Sequence, residues 1–236
     1  MTLADGATVI AKRGATVAIE AGMLRLLAEA QVPVPKIVAT DGELLLIEDL
    51  GEDEGLHAAW GDLGRVLGDL HGFAGPGYGY RLDYGFGPVA ILNQPHALWP
   101  DFWAERRLLP FCPRLPADLA RRVESCAARL PDILPAAPYP SLLHGDLWAG
   151  NVMARGARIT GLIDPACYFG HCEVDLAMLT LFASPPPEFW AAYGRPESGA
   201  DARRAVYQLW PALVHYRLFG AGYHGVVVRC LDRIGA

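Results

Sequence analysis

The sequence lacks an apolar run of the roughly 18–20 residues that a membrane span requires, because Gly, Pro or charge interrupts every longer stretch. The opening segment MTLADGATVIAKRG also lacks the apolar core of a signal peptide. Cysteine is sparse. There are five, at 112, 126, 167, 172 and 230, an odd number with no C-x-x-C pairing, so free and mostly buried thiols are expected rather than a disulfide frame or a thiolate metal site. No excess of positive charge is present either. Twenty basic residues face 26 acidic ones for a formal charge of −6, and the basic ones are scattered, which argues against a nucleic-acid partner. The expectation is a soluble cytoplasmic protein without membrane or nucleic-acid contacts. Core-forming residues are abundant: 52% of 236 residues are hydrophobic, enough for one large domain or two lobes.

The stretch from Leu142 to Asp164, LLHGDLWAGNVMARGARITGLID, carries the chemistry. Asp146 follows an apolar pair that reads as a strand end. Asn151 comes five positions later, and Asp164 closes a second apolar run, Ile159 to Ile163, after a Gly-containing turn. A hairpin of these two runs would bring a carboxylate, an amide oxygen and a second carboxylate to one end of a sheet. Hard oxygen donors of this kind hold Mg²⁺ on nucleotide phosphates. Asn151 and Asp164 fit that role. A further carboxylate must orient an acceptor hydroxyl and take its proton, which requires hydrogen-bond reach. Asp146 fits.

His144-Gly145-Asp146 with Asn151 and Asp164 at this spacing resembles the catalytic and metal-binding loops of the protein-kinase-like fold, in its small-molecule phosphotransferase branch. HGDLWAGN at 144–151, IDPACYFGHCEVDLAM at 163–178 and LFGAGY at 218–223 are together similar to the fructosamine (ketosamine) kinase family, from about Lys12 onward. The resemblance implies an α+β, two-lobed protein-kinase-like fold. A small N-terminal β-sheet lobe and hinge, apparently truncated, would occupy 1–50. A larger, mainly helical catalytic and substrate-binding lobe would occupy 51–236. It implies ATP and Mg²⁺ as cofactors and a small-molecule or protein-bound ketoamine as substrate. Phosphorylation of an aminoglycoside or amino alcohol, and nucleotide binding without turnover, are the alternatives. Oligomeric state is not legible.

In chain order, Thr8 to Lys12 reads as a strand after the Asp5-Gly6 turn signal, and Val17 to Gln31 as a helix that stops before Val32-Pro33. By resemblance Lys12 contacts the ATP phosphates and pairs with Glu20; without it they read as a solvated lysine and a glutamate in a helix's first turn. Lys36–Thr40 and Glu43–Glu48 read as strands joined by Asp41-Gly42. The segment Ile47-Glu48-Asp49-Leu50-Gly51 is by resemblance the interlobe linker, whose backbone would bind the adenine edge. A helix from Trp60 to about Leu70 follows, with His71 packing or capping. Gly75–Gly87 looks like a phosphate loop but follows a helix and runs into Pro88, so an irregular connection is expected.

The family places Gln-Pro-Asn before a Trp-rich helix. Here Gln94-Pro95-His96 departs at its last position, which predicts a shifted sugar specificity. One helix is expected over Trp99–Phe111, with Arg106-Arg107 covering its surface or contacting an anionic substrate, and another over Ala117–Leu130. His144 reads as support beneath the loop. Trp148 stacks on a sugar or packs, and the residues leave both open. Pro165 fixes the turn after Asp164. His171, Cys172, Glu173 and Asp175 cannot all face one ion from one helix, so a transition-metal cluster is not expected there. By resemblance Asp175 accepts hydrogen bonds from catalytic-loop N–H groups. Helices over Asp201–Phe219 and Tyr223–Ile234 end the chain. The family has a further strand and Gly-containing hairpin before the lysine strand, and eleven residues precede Lys12 here. An open phosphate site with slow turnover, or a gene start further upstream, is the expectation.

Overall fold

Why the chain folds as it does is clearest in the helices, where apolar residues recur at helical spacing and Gly or Pro lies just beyond most of the ends. In the computed structural model, which describes residues 1–2, 6 and 8–236, the order is β1 (Val9–Arg13), α1 (Val17–Glu29), β2 (Ile37–Thr40), β3 (Leu44–Glu48), α2 (Trp60–Gly72), β4 (Tyr84–Phe86) and β5 (Val89–Ile91). Then come α3 (Trp99–Trp103), α4 (Ala117–Ala128), α5 (Leu130–Ile133), β6 (Ser141–Leu143), β7 (Val152–Arg155), β8 (Arg158–Leu162) and β9 (Tyr168–Gly170). The remaining helices are α6 (Glu173–Phe182), α7 (Pro187–Tyr193), α8 (Ala200–Phe219) and α9 (His224–Ile234). Most expected elements are present within two residues of their expected ends. Asp5 of the Asp5-Gly6 turn signal lies outside the described residues, and Gly6 has φ +86°. No described helix is long and apolar enough to cross a membrane.

The chain packs as two compact units that interleave along the sequence: residues 1–73, 144–167 and 182–195 form one, and 74–143, 168–181 and 196–236 the other. In the first, β3 lies between β1 and β2, antiparallel to both. The Asp41-Gly42 turn forms as read: Asp41 Oδ1 accepts from Glu43 N–H at 3.1 Å and Leu44 N–H at 2.8 Å. Val17, Ala21 and Leu24 of α1 pack on Leu45 and Ile47 of β3. Helices α2 and α7 meet at Gly64, where an added Cβ would lie 2.6 Å from Phe189 O. His71 joins the same contact through Nδ1, 2.8 Å from Tyr193 Oη.

That close approach gives a paired prediction. Gly68, exposed in the same helix, has no atom within 4 Å of an added Cβ. Gly68→Ala should stabilise the protein by about 0.5–1 kcal/mol through helix propensity. Gly64→Ala should destabilise it by about 1–3 kcal/mol, because the helices must separate. Thermal unfolding of both variants checks this; two shifts of the same sign would contradict it.

Two expectations are corrected. The run Leu142–Leu143 does not pair with Ile159–Ile163. Instead β6 pairs with β9, and β8 pairs with β7, a strand that follows directly on Asn151. The two-residue turn Gly156-Ala157 closes that hairpin, with Gly156 at φ +56°, a conformation that favours glycine. Nor is Trp99–Phe111 one helix. After α3 the chain makes a π-turn over Ala104–Leu108 and a 3₁₀ segment over Leu109–Arg114, where Pro110 and Pro113 remove the N–H groups an α-helix needs. The Gly75–Gly87 connection is irregular except at its end, where β4 pairs with β5.

The second unit is built around aromatic rings. Trp99, Phe102, Trp103, Tyr168 and Tyr207 are buried together, with Trp99 Nε1–H donating to Tyr207 Oη at 2.9 Å. Arg107, expected at the surface, is wholly buried among them. Its guanidinium carbon lies 4.2 Å from the Tyr168 ring centre, 4.8 Å from Phe102 and 5.1 Å from Trp210. Its nitrogens donate to Leu92 O and, at 2.8 Å, to Asn93 Oδ1. Burial lowers the Arg107 pKa from its ordinary value and pushes the Tyr168 phenol up to about 12.

Candidate active site

All the side chains of the proposed phosphoryl-transfer machinery except Asp175 belong to the first unit. The loop His144-Gly145-Asp146 is laced to the segment Ile163–Ala166. His144, fully buried, holds Ile163 O with Nε2 at 3.0 Å, and its Nδ1 accepts from Asp146 N–H at 3.3 Å. With Nδ1 accepting from Asp146, the Ile163 contact is one that Nε2–H can donate. Ala166 N–H donates to His144 O at 2.8 Å. Gly145 lets the two segments touch: its φ is +81°, and an added Cβ would fall 2.1 Å from Ala166 O.

The hairpin β7–β8 brings its own ends together. Ile163 N–H donates to Asn151 O at 3.0 Å, directly beyond the pair Val152–Leu162. Asn151, buried, spends its amide protons on Asp146, at 2.8 Å to the backbone oxygen and 3.1 Å to Oδ2. This leaves Oδ1 as the oxygen donor of the Asn151 side chain. Asp164 has φ +54°, one of two non-glycine residues with positive φ among those described. Asp tolerates this conformation better than most residues, and such strain gathers at functional sites. A carboxylate and an amide oxygen are hard donors, so the set fits Mg²⁺ and not a softer metal.

Lys12 connects the sheet to this site. Its ammonium bonds both Glu20, buried in the first turn of α1, and Asp164, whose side chain is 52% exposed. Burial alone would lower the Lys12 pKa, but the hydrogen bonds it donates to Asp164 and Glu20 outweigh that and raise the value. Glu48 ends β3, and its carboxylate accepts from Lys36 N–H at 3.2 Å. Leu50 packs on β8, where an added Cβ at Gly161 would lie 2.4 Å from its Cδ1. Trp148 is 42% exposed and lies over Gly150, whose added Cβ would fall 2.2 Å from the indole.

Asp175 is fully buried in the first turn of α6 in the second unit. Among the described residues His171, Glu173 and Glu197 have potential ligand atoms within 4.8 Å of one another. Arg203 grips Glu173 in a two-pronged contact, Nε to Oε2 at 2.7 Å and Nη2 to Oε1 at 2.6 Å, and this arginine already supplies the opposite charge. His171 Nδ1 lies 2.8 Å from Tyr207 Oη. The spacing gives no sign of one further group: Asp53, Glu54 and Asp62, which the sequence presents as an acidic run and a helix residue, reach the backbone of β7–β8.

A family model described as fructosamine kinase matches residues 11–236. The Synechocystis protein named probable ketoamine kinase slr1563 is 35% identical over 196 residues, covering 76% of this chain and 63% of that one. The chloroplastic protein-ribulosamine 3-kinase of Arabidopsis thaliana is 31% identical over 82% of this chain and 62% of its own. The chain therefore spans 62–63% of the length of these two curated relatives. A solved structure of a candidate fructosamine-3-kinase from Thermobifida fusca superposes with a TM-score of 0.91 at 32% identity, over 99% of this chain and 87% of that one. With that match across nearly its whole length, the chain belongs to the fructosamine kinase family.

Proposed function

We propose that this protein is an ATP- and Mg²⁺-dependent kinase that phosphorylates a hydroxyl of a fructosamine- or ribulosamine-type ketoamine, free or on a protein. The observation that carries this reading is the meeting, in one unit, of Lys12, Asp164, Asn151 and Asp146. The family, and the names of its ketoamine and ribulosamine kinase relatives, support the acceptor class.

In this reading Asp146 orients the acceptor hydroxyl and takes its proton as the oxygen bonds to the γ-phosphorus and the bond to the β–γ bridging oxygen breaks, releasing ADP. Asn151 holds Asp146 through its amide protons and offers Oδ1 to the cation. Asp164 is the second protein ligand. When bound there, Mg²⁺ would supply charge neutralisation on the phosphate oxygens. Lys12, held by Glu20, turns from Asp164 to the phosphates, and His144 keeps Asp146 and Ile163 in register. Asp175 would serve as structural support, and the backbone from Glu48 to Leu50 would hold the adenine edge. Trp148 offers an exposed aromatic face beside the base for the sugar. The division into a nucleotide lobe over 1–50 and a catalytic lobe over 51–236 belongs to this proposal. So does a reducing cytoplasmic setting, which suits the five cysteine thiols.

ATP consumption by the purified protein, measured against ketoamines, aminoglycosides and free sugars, tests it. A fructosyl- or ribulosyl-lysine analogue should be the best acceptor, by at least tenfold in kcat/KM, or about 1.4 kcal/mol of transition-state discrimination. Trp148→Ala should raise KM for that acceptor and leave KM for ATP unchanged. An aminoglycoside preferred tenfold over every ketoamine would reverse the assignment.

A further inference from the structure

Asn151 and Asp164 flank the hairpin β7–β8, so the shape of that hairpin sets the distance between them. Its register slips between Met153 and Ala154: Met153 faces Gly161 while Ala154 faces Ile159, leaving Thr160 as an extra residue on β8. A bulge of this kind bends and twists a ladder, and the bend must be held if the flanking residues are to keep a fixed spacing.

Carboxylates from residues 53–62 hold it. Asp53 Oδ1 accepts from Ala154 N–H at 2.9 Å and from Gly55 N–H at 3.0 Å. Glu54 Oε2 accepts from Gly156 N–H at 2.7 Å, and Glu54 N–H donates to Ala154 O at 2.9 Å. Asp62, buried on α2, accepts from Ile159 N–H at 2.8 Å through Oδ2, while its Oδ1 meets Arg65 at 2.8 Å and Arg158 at 3.4 Å. The three grips fall on β7, on the turn and on β8, around the bulge. Each is charge-assisted and stronger than a neutral hydrogen bond.

We propose that Asp53, Glu54 and Asp62 are positioning residues for the cation site, fixing the bulged hairpin and through it the separation of Asn151 and Asp164. The inference rests on reading those two residues as the Mg²⁺ ligands. Asp53 and Glu54 are exposed, so solvent replaces much of what their bonds contribute to stability. Ligand geometry is less forgiving. Mg²⁺ demands a near-ideal octahedron, whereas the larger Ca²⁺ accepts irregular and variable coordination. A loosened hairpin should therefore penalise Mg²⁺ selectively, which a general loss of stability would not do.

The test compares wild type, Asp53→Ala with Glu54→Ala, Asp53→Asn with Glu54→Gln, and Asp164→Ala. Each is titrated with Mg²⁺ and separately with Ca²⁺ for the concentration that half-maximally supports binding of AMP-PNP, and its thermal midpoint is recorded. The double alanine variant should need about tenfold more Mg²⁺, the usual cost of losing groups that orient metal ligands, and less than about threefold more Ca²⁺. Its thermal midpoint should stay close to wild type. The double amide variant should match wild type, because its side-chain oxygens still accept the Ala154 and Gly156 protons. An unchanged Mg²⁺ requirement in the double alanine variant overturns the proposal, as does an equal loss for both ions. If Asp164→Ala alone raises the Mg²⁺ requirement, only the positioning role fails. If Asp164→Ala leaves that requirement unchanged, the metal assignment fails and the positioning role with it.

Discussion

Asp146→Asn should lower kcat by a factor on the order of 10²–10⁴, the usual contribution of a positioned proton acceptor, while Mg²⁺-dependent ATP affinity stays within about twofold of wild type. The substitution is nearly isosteric. An asparagine oxygen at 146 still accepts the Asn151 Nδ2 proton that Asp146 Oδ2 accepts at 3.1 Å, and the backbone bonds from Asn151 Nδ2 and to His144 Nδ1 do not involve the carboxylate. The loop keeps its shape. What disappears is a group able to take the acceptor's proton. Steady-state rates with a ketoamine acceptor, paired with calorimetric titration of AMP-PNP and Mg²⁺ on the same preparation, separate the two effects. A variant that loses nucleotide affinity as steeply as turnover would place Asp146 on the metal and not on the acceptor.

The largest expected effect on stability comes from a residue outside the catalytic loop. Arg107→Ala should destabilise the fold by about 3–5 kcal/mol, the range for removing a large side chain from a packed core and stranding its buried hydrogen-bond acceptors. Three aromatic rings, Phe102, Tyr168 and Trp210, lose the guanidinium packed between them. Asn93 Oδ1 and Leu92 O each lose a donor. Arg107→Lys should fall between, since an ammonium keeps the charge but cannot stack as a plane or reach both oxygens in a fork. Urea unfolding of the three proteins measures the differences. An alanine variant within about 1 kcal/mol of wild type would mean that solvent reaches the site and that the aromatic enclosure contributes little.

The contrast between these two residues shows where sequence reading holds. Asp146, Asn151 and Asp164 could be singled out because their chemistry follows from residue type and short spacing. Arg107 could not, because the groups that enclose it, the rings of Tyr168 and Trp210 and the oxygens of Leu92 and Asn93, come from segments outside its own helix.

By itself the sequence determined the family, the helices α1, α2, α8 and α9 to within two residues and the Asp41-Gly42 turn, and it supplied the oxygen donors proposed for the cation. The helices and the turn follow from periodicity, from glycine's access to positive φ and from proline's missing N–H, all of which act within a few residues, whereas the family follows from the resemblance of the motifs at 144–151, 163–178 and 218–223. Only the tertiary structure decided that β6 pairs with β9 while β8 pairs with β7, that Lys12 bonds Asp164 as well as Glu20, and that carboxylates at 53, 54 and 62 grip a hairpin about a hundred residues later. A short apolar strand offers the same unpaired N–H and C=O groups to every strand of compatible register. Which partner it takes depends on packing across the whole chain, because distant segments can meet only once the intervening chain has been ordered.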